Sequence, residues 1–158
     1  MLIGKRMNDA LNVHIGREYN AFYEYTAMAA WFDEQSLDGF AGFFYKQAEE
    51  ESEHGLKMVK YVAEVGGHVE IPALPAPKDK FASPIEALEM FVKMEEEVTR
   101  AIYDLVELSR SEGDHSAFQF LQWYVEEQRE EVSSAQALLD RARQFGDERI
   151  ALLDSTLG

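Results

Sequence analysis

Six polar residues are spaced so that they could hold metal: Glu18, Glu51, His54, Glu95, Gln128 and Glu131. Glu18 to Glu51 is 33 residues, and so is Glu95 to Gln128. Glu51 to His54 is 3, and so is Gln128 to Glu131. The second trio is the first displaced by 77 throughout, the mark of a repeated helical hairpin. Carboxylates with one imidazole form a hard oxygen and nitrogen donor set suited to iron. Taken singly, each glutamate is more often a solvated helix residue, and a lone His54 is more often structural. The joint pattern makes a different case, which depends on where the helices put these groups.

Breakers are few outside one segment. The four prolines, Pro72, Pro75, Pro77 and Pro84, all fall in or just after residues 66–83. The rest predicts helices over about 8–35, 40–65, 84–111 and 115–145, with a short amphipathic fifth over 147–157, all in a single domain spanning residues 1–158. Residues 36–39 and 112–114 form the short breaks. Ser83 before Pro84, with Glu86 three residues on, predicts a capped helix start. Short breaks make the first and second helices one antiparallel hairpin, and the third and fourth another. The second helix is about 40 Å long at ~1.5 Å per residue. The 18-residue segment after it reaches ~60 Å when extended, enough to cross the bundle lengthwise and set the second and third helices parallel. The expected fold is therefore all-α: a four-helix bundle with a long crossover and a short C-terminal fifth helix.

Each long helix carries an apolar stripe in alternating steps of three and four. The first runs Leu11, Ile15, Glu18, Phe22, Tyr25, Ala29, Phe32, and the second Phe40, Phe44, Gln47, Glu51, His54, Met58, Tyr61, Val65. The third runs Leu88, Phe91, Glu95, Val98, Ile102, Leu105, and the fourth Leu121, Tyr124, Gln128, Glu131, Ala135, Leu138. Every stripe turns polar near its middle, at matched depth. One ionised carboxylate buried there costs several kcal/mol unless compensated. Four at one level repel each other and take up protons. No Lys or Arg stands in these stripes as a partner, which leaves cations. Di-iron bundles use one Glu from each of two helices and Glu-x-x-His from each of the other two. Here the second Glu-x-x-His is Gln128-x-x-Glu131. The expectation is an asymmetric pair: Glu18, Glu51 and His54 for one ion; Glu51 as bridge with Glu95 and Glu131 for the other. Gln128 would bond nearby or to a bound oxygen species.

At these residues the chain resembles the bacterial non-haem ferritins. The matching strings are Glu18 with Tyr25 two turns on, Glu50-Glu51-x-x-His54, Glu95 in Lys-Met-Glu, and Phe120-Leu-Gln-Trp-Tyr-Val-Glu-Glu-Gln128 followed by Glu130 and Glu131. The likeness covers about residues 8–157. It implies a ferritin-like bundle and a ferroxidase that oxidises Fe(II) with O2 or H2O2 at a two-iron centre formed by the six stripe residues. It also implies ferric mineral, with phosphate, stored in a cytoplasmic homo-oligomeric shell of 24 subunits. A third iron site, at Glu50, Glu127 and Glu130 with Glu131 shared, is implied in the same way, as is Tyr25 as an electron source beside the centre. Trp123 is assigned to packing, and His14, His68 and His115, off the stripes, are assigned no role. A haem-binding relative would carry Met where this chain has Ser52, and two Glu-x-x-His motifs, so no haem is expected. A di-iron or di-manganese oxidase or catalase without storage is the alternative on the same bundle.

Composition fits. The formal charge is −15, unsuited to nucleic acid, whose phosphates are held by Lys and Arg, and suited to gathering cations. There is no cysteine, hence no thiolate-held cluster or zinc ribbon. Met1–Met7 lacks a signal-length apolar run, and no stretch approaches the ~20 residues of a membrane span.

Overall fold

The computed structural model describes residues 2–157. In chain order it holds α1 (Lys5–Glu34), α2 (Asp38–Glu64), α3 (Pro84–Ser111), α4 (His115–Phe145), a 3-10 turn (Asp147–Arg149) and α5 (Ile150–Asp154). No strand occurs among the described residues, and no described helix is long and apolar enough to cross a membrane. The expected ends of α3 and α4 coincide with the observed ones. Met1 and Gly158, the ends of the expected domain, lie outside the described residues.

Three boundaries differ, each for a local reason. The first helix begins at Lys5 rather than near residue 8, because Met7 and Ile3 extend the buried face beyond Leu11, and Leu2 N–H donates to Val65 O at 3.0 Å. The first break is only residues 35–37. Ser36 takes φ 58°, and Leu37 N–H reaches back to Phe32 O, closing α1 in a Schellman motif. Gly66 and Gly113 do the same for α2 and α3 with positive φ. The third difference is the C-terminus. The helix expected over 147–157 is one 3-10 turn and five α-helical residues.

That short segment docks on the start of α2. Gly39 is helical rather than part of the break, and a Cβ there would lie 2.0 Å from Asp154 O. Phe40 N–H donates to Asp154 Oδ1 at 2.7 Å. Leu37, the N-cap residue of α2, offers no side-chain cap, so Asp154 satisfies an orphan donor from across the fold.

Residues 65–83 run the length of α1, as a crossover must. His68 N–H donates to Asn8 Oδ1 and Glu70 N–H to Asn12 Oδ1. Pro72 lies against Gly16, Lys78 N–H donates to Glu24, and Phe81 packs edge-on against Trp31 with ring centroids 5.3 Å apart. α2 and α3 are therefore parallel. At the far end Ser83 Oγ accepts from Glu86 N–H at 3.1 Å, while Glu86 reaches past the cap residue to Ala82 N–H. Ser83→Ala should lower unfolding stability by ~1 kcal/mol, measured by denaturant titration.

The interior has two apolar halves. One holds Tyr25, Phe32, Phe40, Phe44, Leu88 and Phe91; the other holds Leu11, Ile15, Met58, Ile102, Leu121 and Tyr124. Phe32 stacks on both Phe40 and Phe44, at 5.0 and 5.4 Å between centroids. The interruptions of the four stripes all lie between these halves. Phe22 is the one stripe residue only half-buried; Ala21 takes the inner position beside it.

Candidate metal centre

Burial of the band is nearly complete. Glu18 and Glu95 are 0% exposed, Glu51 and Gln128 1%, His54 4% and Glu131 7%. Two groups of possible ligands form, each with one donor atom per residue and all donors within 4.8 Å: Glu18, Glu51 and His54; and Glu51, Glu95 and Glu131. These are the two trios the spacing anticipates, joined through Glu51. His54 Nδ1 lies 3.3 Å from Glu51 Oε2 and 3.8 Å from Glu18 Oε2. Glu18 Oε2, Glu51 Oε2, His54 Nδ1 and Glu131 Oε2 are buried with no hydrogen-bond partner. Buried polar atoms are normally satisfied, so these orphans, Glu18, Glu51 and His54 in the first group and Glu131 in the second, fit cations there.

The electrostatics agree. Burial works to raise Glu18, but the neighbouring Glu51, His14 and His54 side chains outweigh it and hold that carboxyl below the usual carboxylate range. Burial, then the charge of Glu18, push Glu51 well above that range. Burial, then the charges of Glu95 and Glu50, push Glu131 up to about 8. Burial also raises Glu95, against the bonds it accepts from Tyr25 and Gln128. Burial disfavours charged His54, yet Glu18, Glu127 and Glu131 raise it. Without a cation Glu131, at about 8, therefore holds its proton at neutral pH, and Glu51 is shifted in the same direction. A divalent ion must displace that proton, so affinity rises with pH through about 8, the value at Glu131. Calorimetric titration with Co(II) at pH 7, in buffers of different ionisation heat, should show at least about one proton released per chain. Binding without proton release would mean the acids are already ionised.

The surroundings orient the ligands. Tyr25 O–H donates to Glu95 Oε1 at 2.6 Å; burial, then the charge of Glu95, raise the phenol well above its ordinary value, so it stays a donor. Gln128 Nε2 donates to Glu95 Oε2 and Thr99 Oγ1, both at 3.1 Å, while Thr99 O–H donates to the Glu95 carbonyl at 2.8 Å. Gln128 Oε1 is left buried and unpartnered, an acceptor awaiting a donor. Tyr124 O–H donates to His54 O at 2.6 Å. Trp123 is partly exposed, edge-on to His54 at 5.3 Å between centroids and beneath Lys57 Nζ at 4.3 Å, which fits packing.

Two placements depart from the stripe reading. His14, given no role there, is 1% exposed with Nε2 2.9 Å from Glu18 Oε1. Its signal was its position four residues before a buried glutamate on the same helix face. His68 and His115 are exposed, as their off-stripe positions imply. Glu50 and Glu127 are half-buried and Glu130 exposed, and they do not close into a third group with Glu131 among the described residues. Glu127 does reach inward, with Oε1 3.6 Å from His54 Nε2.

Comparison with known proteins gives the same picture. Residues 8–145 match the family model for the ferritin-like domain. A protein described as bacterial non-heme ferritin from Staphylococcus aureus (strain USA300) is 39% identical over 151 residues, covering 96% of this chain and 91% of that one. The protein of the same description from Staphylococcus haemolyticus (strain JCSC1435) is 37% identical over 147 residues, with 93% and 89% covered. Among solved structures, an open pore ferritin from Archaeoglobus fulgidus superimposes with a TM-score of 0.96 at 39% identity, covering 99% of this chain and 96% of that one. An engineered closed form of the A. fulgidus ferritin gives a TM-score of 0.95. With the family model matched over most of the chain and the bundle superimposing on solved ferritins, the chain belongs to the ferritin family.

Proposed function

We propose that this protein stores and detoxifies iron: it takes Fe(II) as substrate at the Glu51-centred site, oxidises it, and passes Fe(III) into the interior of a cytoplasmic cage of 24 such chains. The observation that carries this reading is that Glu51 belongs to both ligand groups, which suits two cations held as a close pair, within ~4 Å. Glu18, Glu51 and His54 would take one Fe(II), and Glu51, Glu95 and Glu131 the other. Anionic carboxylates stabilise Fe(III) over Fe(II). Two ions side by side release two electrons to one molecule of O2 or H2O2, which limits radical escape. Gln128 Oε1 is positioned to accept a bond from a protonated oxygen species on the pair. Tyr25 can supply a further electron, its proton passing along the existing bond to Glu95 Oε1.

Three protein ligands per ion leave open positions, so product can depart. Glu127, adjacent to His54, with Glu50 and Glu130 beyond it, offers a weaker third iron position on the way to the storage space, where phosphate joins the mineral. The acidic surface gathers the incoming cation.

Stepwise aerobic addition of Fe(II) to metal-free protein, followed by size-exclusion chromatography and iron analysis, tests this. The expected result is a particle of 24 chains of 18.1 kDa retaining far more iron than its ligand groups can hold. A monomer or dimer retaining about two irons per chain would replace storage with a plain di-iron oxidase.

A further inference from the structure

Among the described residues, His14 is the one buried histidine or acid that the proposed chemistry does not use. It lies on α1 one turn before Glu18, 1% exposed, with Nε2 2.9 Å from Glu18 Oε1. An ionised carboxylate only accepts, so Nε2 is the donor in this bond. The other ring nitrogen, Nδ1, is buried and has no partner. Tyr124 faces the ring edge-on at 6.3 Å between centroids and offers it no hydrogen bond, because its hydroxyl is given to His54 O. A leucine would fill this place without leaving a polar atom unsatisfied. The imidazole thus makes a single hydrogen bond, and that bond goes to a member of the metal-ligand group.

The effect on Glu18 is geometric. With Oε1 tied to His14, the carboxylate cannot turn about its last bond, and Oε2 faces Glu51 and His54. Oε2 is the unpartnered oxygen, 3.8 Å from His54 Nδ1. Groups that hold a ligand's second atom commonly fix its orientation and set affinity for the ion.

We infer that His14 is a positioning residue, holding Glu18 so that Oε2 alone is presented to the first cation, and that it sets the affinity of the Glu18–Glu51–His54 group. This rests on the proposed metal centre. It assigns His14 no contact with iron and no proton transfer.

The test uses the assembled protein, stripped of metal and titrated without oxygen with Co(II), which has visible absorption bands and similar ligand preferences. Two variants divide the possibilities. His14→Leu keeps the bulk and removes the donor. His14→Gln restores a donor at the same reach: Gln136 Nε2 already donates to Asp140 Oδ1 at 2.8 Å across the same four-residue step in α4. In His14→Leu, one cobalt equivalent should bind 10- to 100-fold more weakly than in the parent, with altered band intensities, and the other should change less. The metal-free variant should melt no lower than the parent. In His14→Gln the parent's binding and spectrum should return.

Parent-like cobalt binding in His14→Leu would overturn the inference, and so would a His14→Gln variant that stays weak while folded. If His14→Leu melts lower and binds weakly, His14→Gln decides: recovery of binding supports the inference, and its failure ends it. A parent protein that binds no cobalt would sink the metal-centre reading itself, and this inference with it.

Discussion

Glu51→Ala slows the initial oxidation of Fe(II) by at least ~100-fold and leaves the four helices intact. Loss of a residue that merely supports a metal ligand typically costs 10–100-fold in affinity or activity, and Glu51 is itself the shared ligand. Glu18→Ala removes a member of one group only, and Glu95→Ala a member of the other. Each single loss leaves one complete trio and one usable cation position. Glu51→Ala leaves none. The expected order of damage is therefore Glu51 first, with His54→Ala close behind, because His54 supplies the only nitrogen in either group. The fold tolerates the change, since the residue removed is a buried acid whose ionisation is opposed first by burial and then by the charge of Glu18. Stopped-flow absorbance after mixing with aerobic Fe(II) gives the rate, and far-ultraviolet circular dichroism gives the helix content. A Glu51→Ala protein that oxidises iron at the parent rate would remove the shared carboxylate from the mechanism.

The parts of this arrangement that could be read from the chain are those governed by periodicity. Stripes in steps of three and four set which face of each helix is buried, and all but Phe22 of their residues are buried. The 77-residue repeat put the six polar residues at one depth because each hairpin returns the chain to the level it left. The crossover followed from the reach of residues 66–83 alone. What escaped were contacts between elements far apart in sequence or off the seam. His14 is absent from a stripe drawn with about one position per turn, although a helix this enclosed buries a wider arc. Gly39 resembled a turn glycine, but the constraint is Asp154, over a hundred residues away, passing where a Cβ would sit. The fifth helix was overdrawn because a five-residue helix is held by docking, not by propensity. Glu50, Glu127 and Glu130 have the right spacing and sit at the edge of the band, Glu127 turned inward to His54 and Glu130 exposed.

The second large effect reverses sign with metal. Glu131→Leu raises the stability of the empty protein, because Glu131 is 7% exposed, its Oε2 has no partner, and burial with the charges of Glu95 and Glu50 lifts its carboxyl from the ordinary 4.5 to about 8. A buried acid whose folded value lies above its unfolded one destabilises the fold as pH climbs through that window. The penalty is absent below about 4.5, grows toward 8 and is complete above it. Leucine of similar bulk removes it. Replacing a buried charge cluster member with a well-packed apolar side chain gains on the order of 1–4 kcal/mol, or roughly 3–10 °C in melting temperature for a chain of this size. The gain should be largest near pH 8 and vanish near pH 4. With Co(II) present the order inverts. A ligand at about 100 times its dissociation constant adds ~2.7 kcal/mol to the protein that binds it. The parent can bind at both groups, whereas the variant keeps only Glu18, Glu51 and His54. Melting curves of parent and variant, with chelator and with Co(II), at pH 4.5 and pH 8, contain the whole test. If the variant melts below the parent in chelator at pH 8, Glu131 supports the fold directly, and the polar band is not held in place at the expense of stability for the sake of a cation.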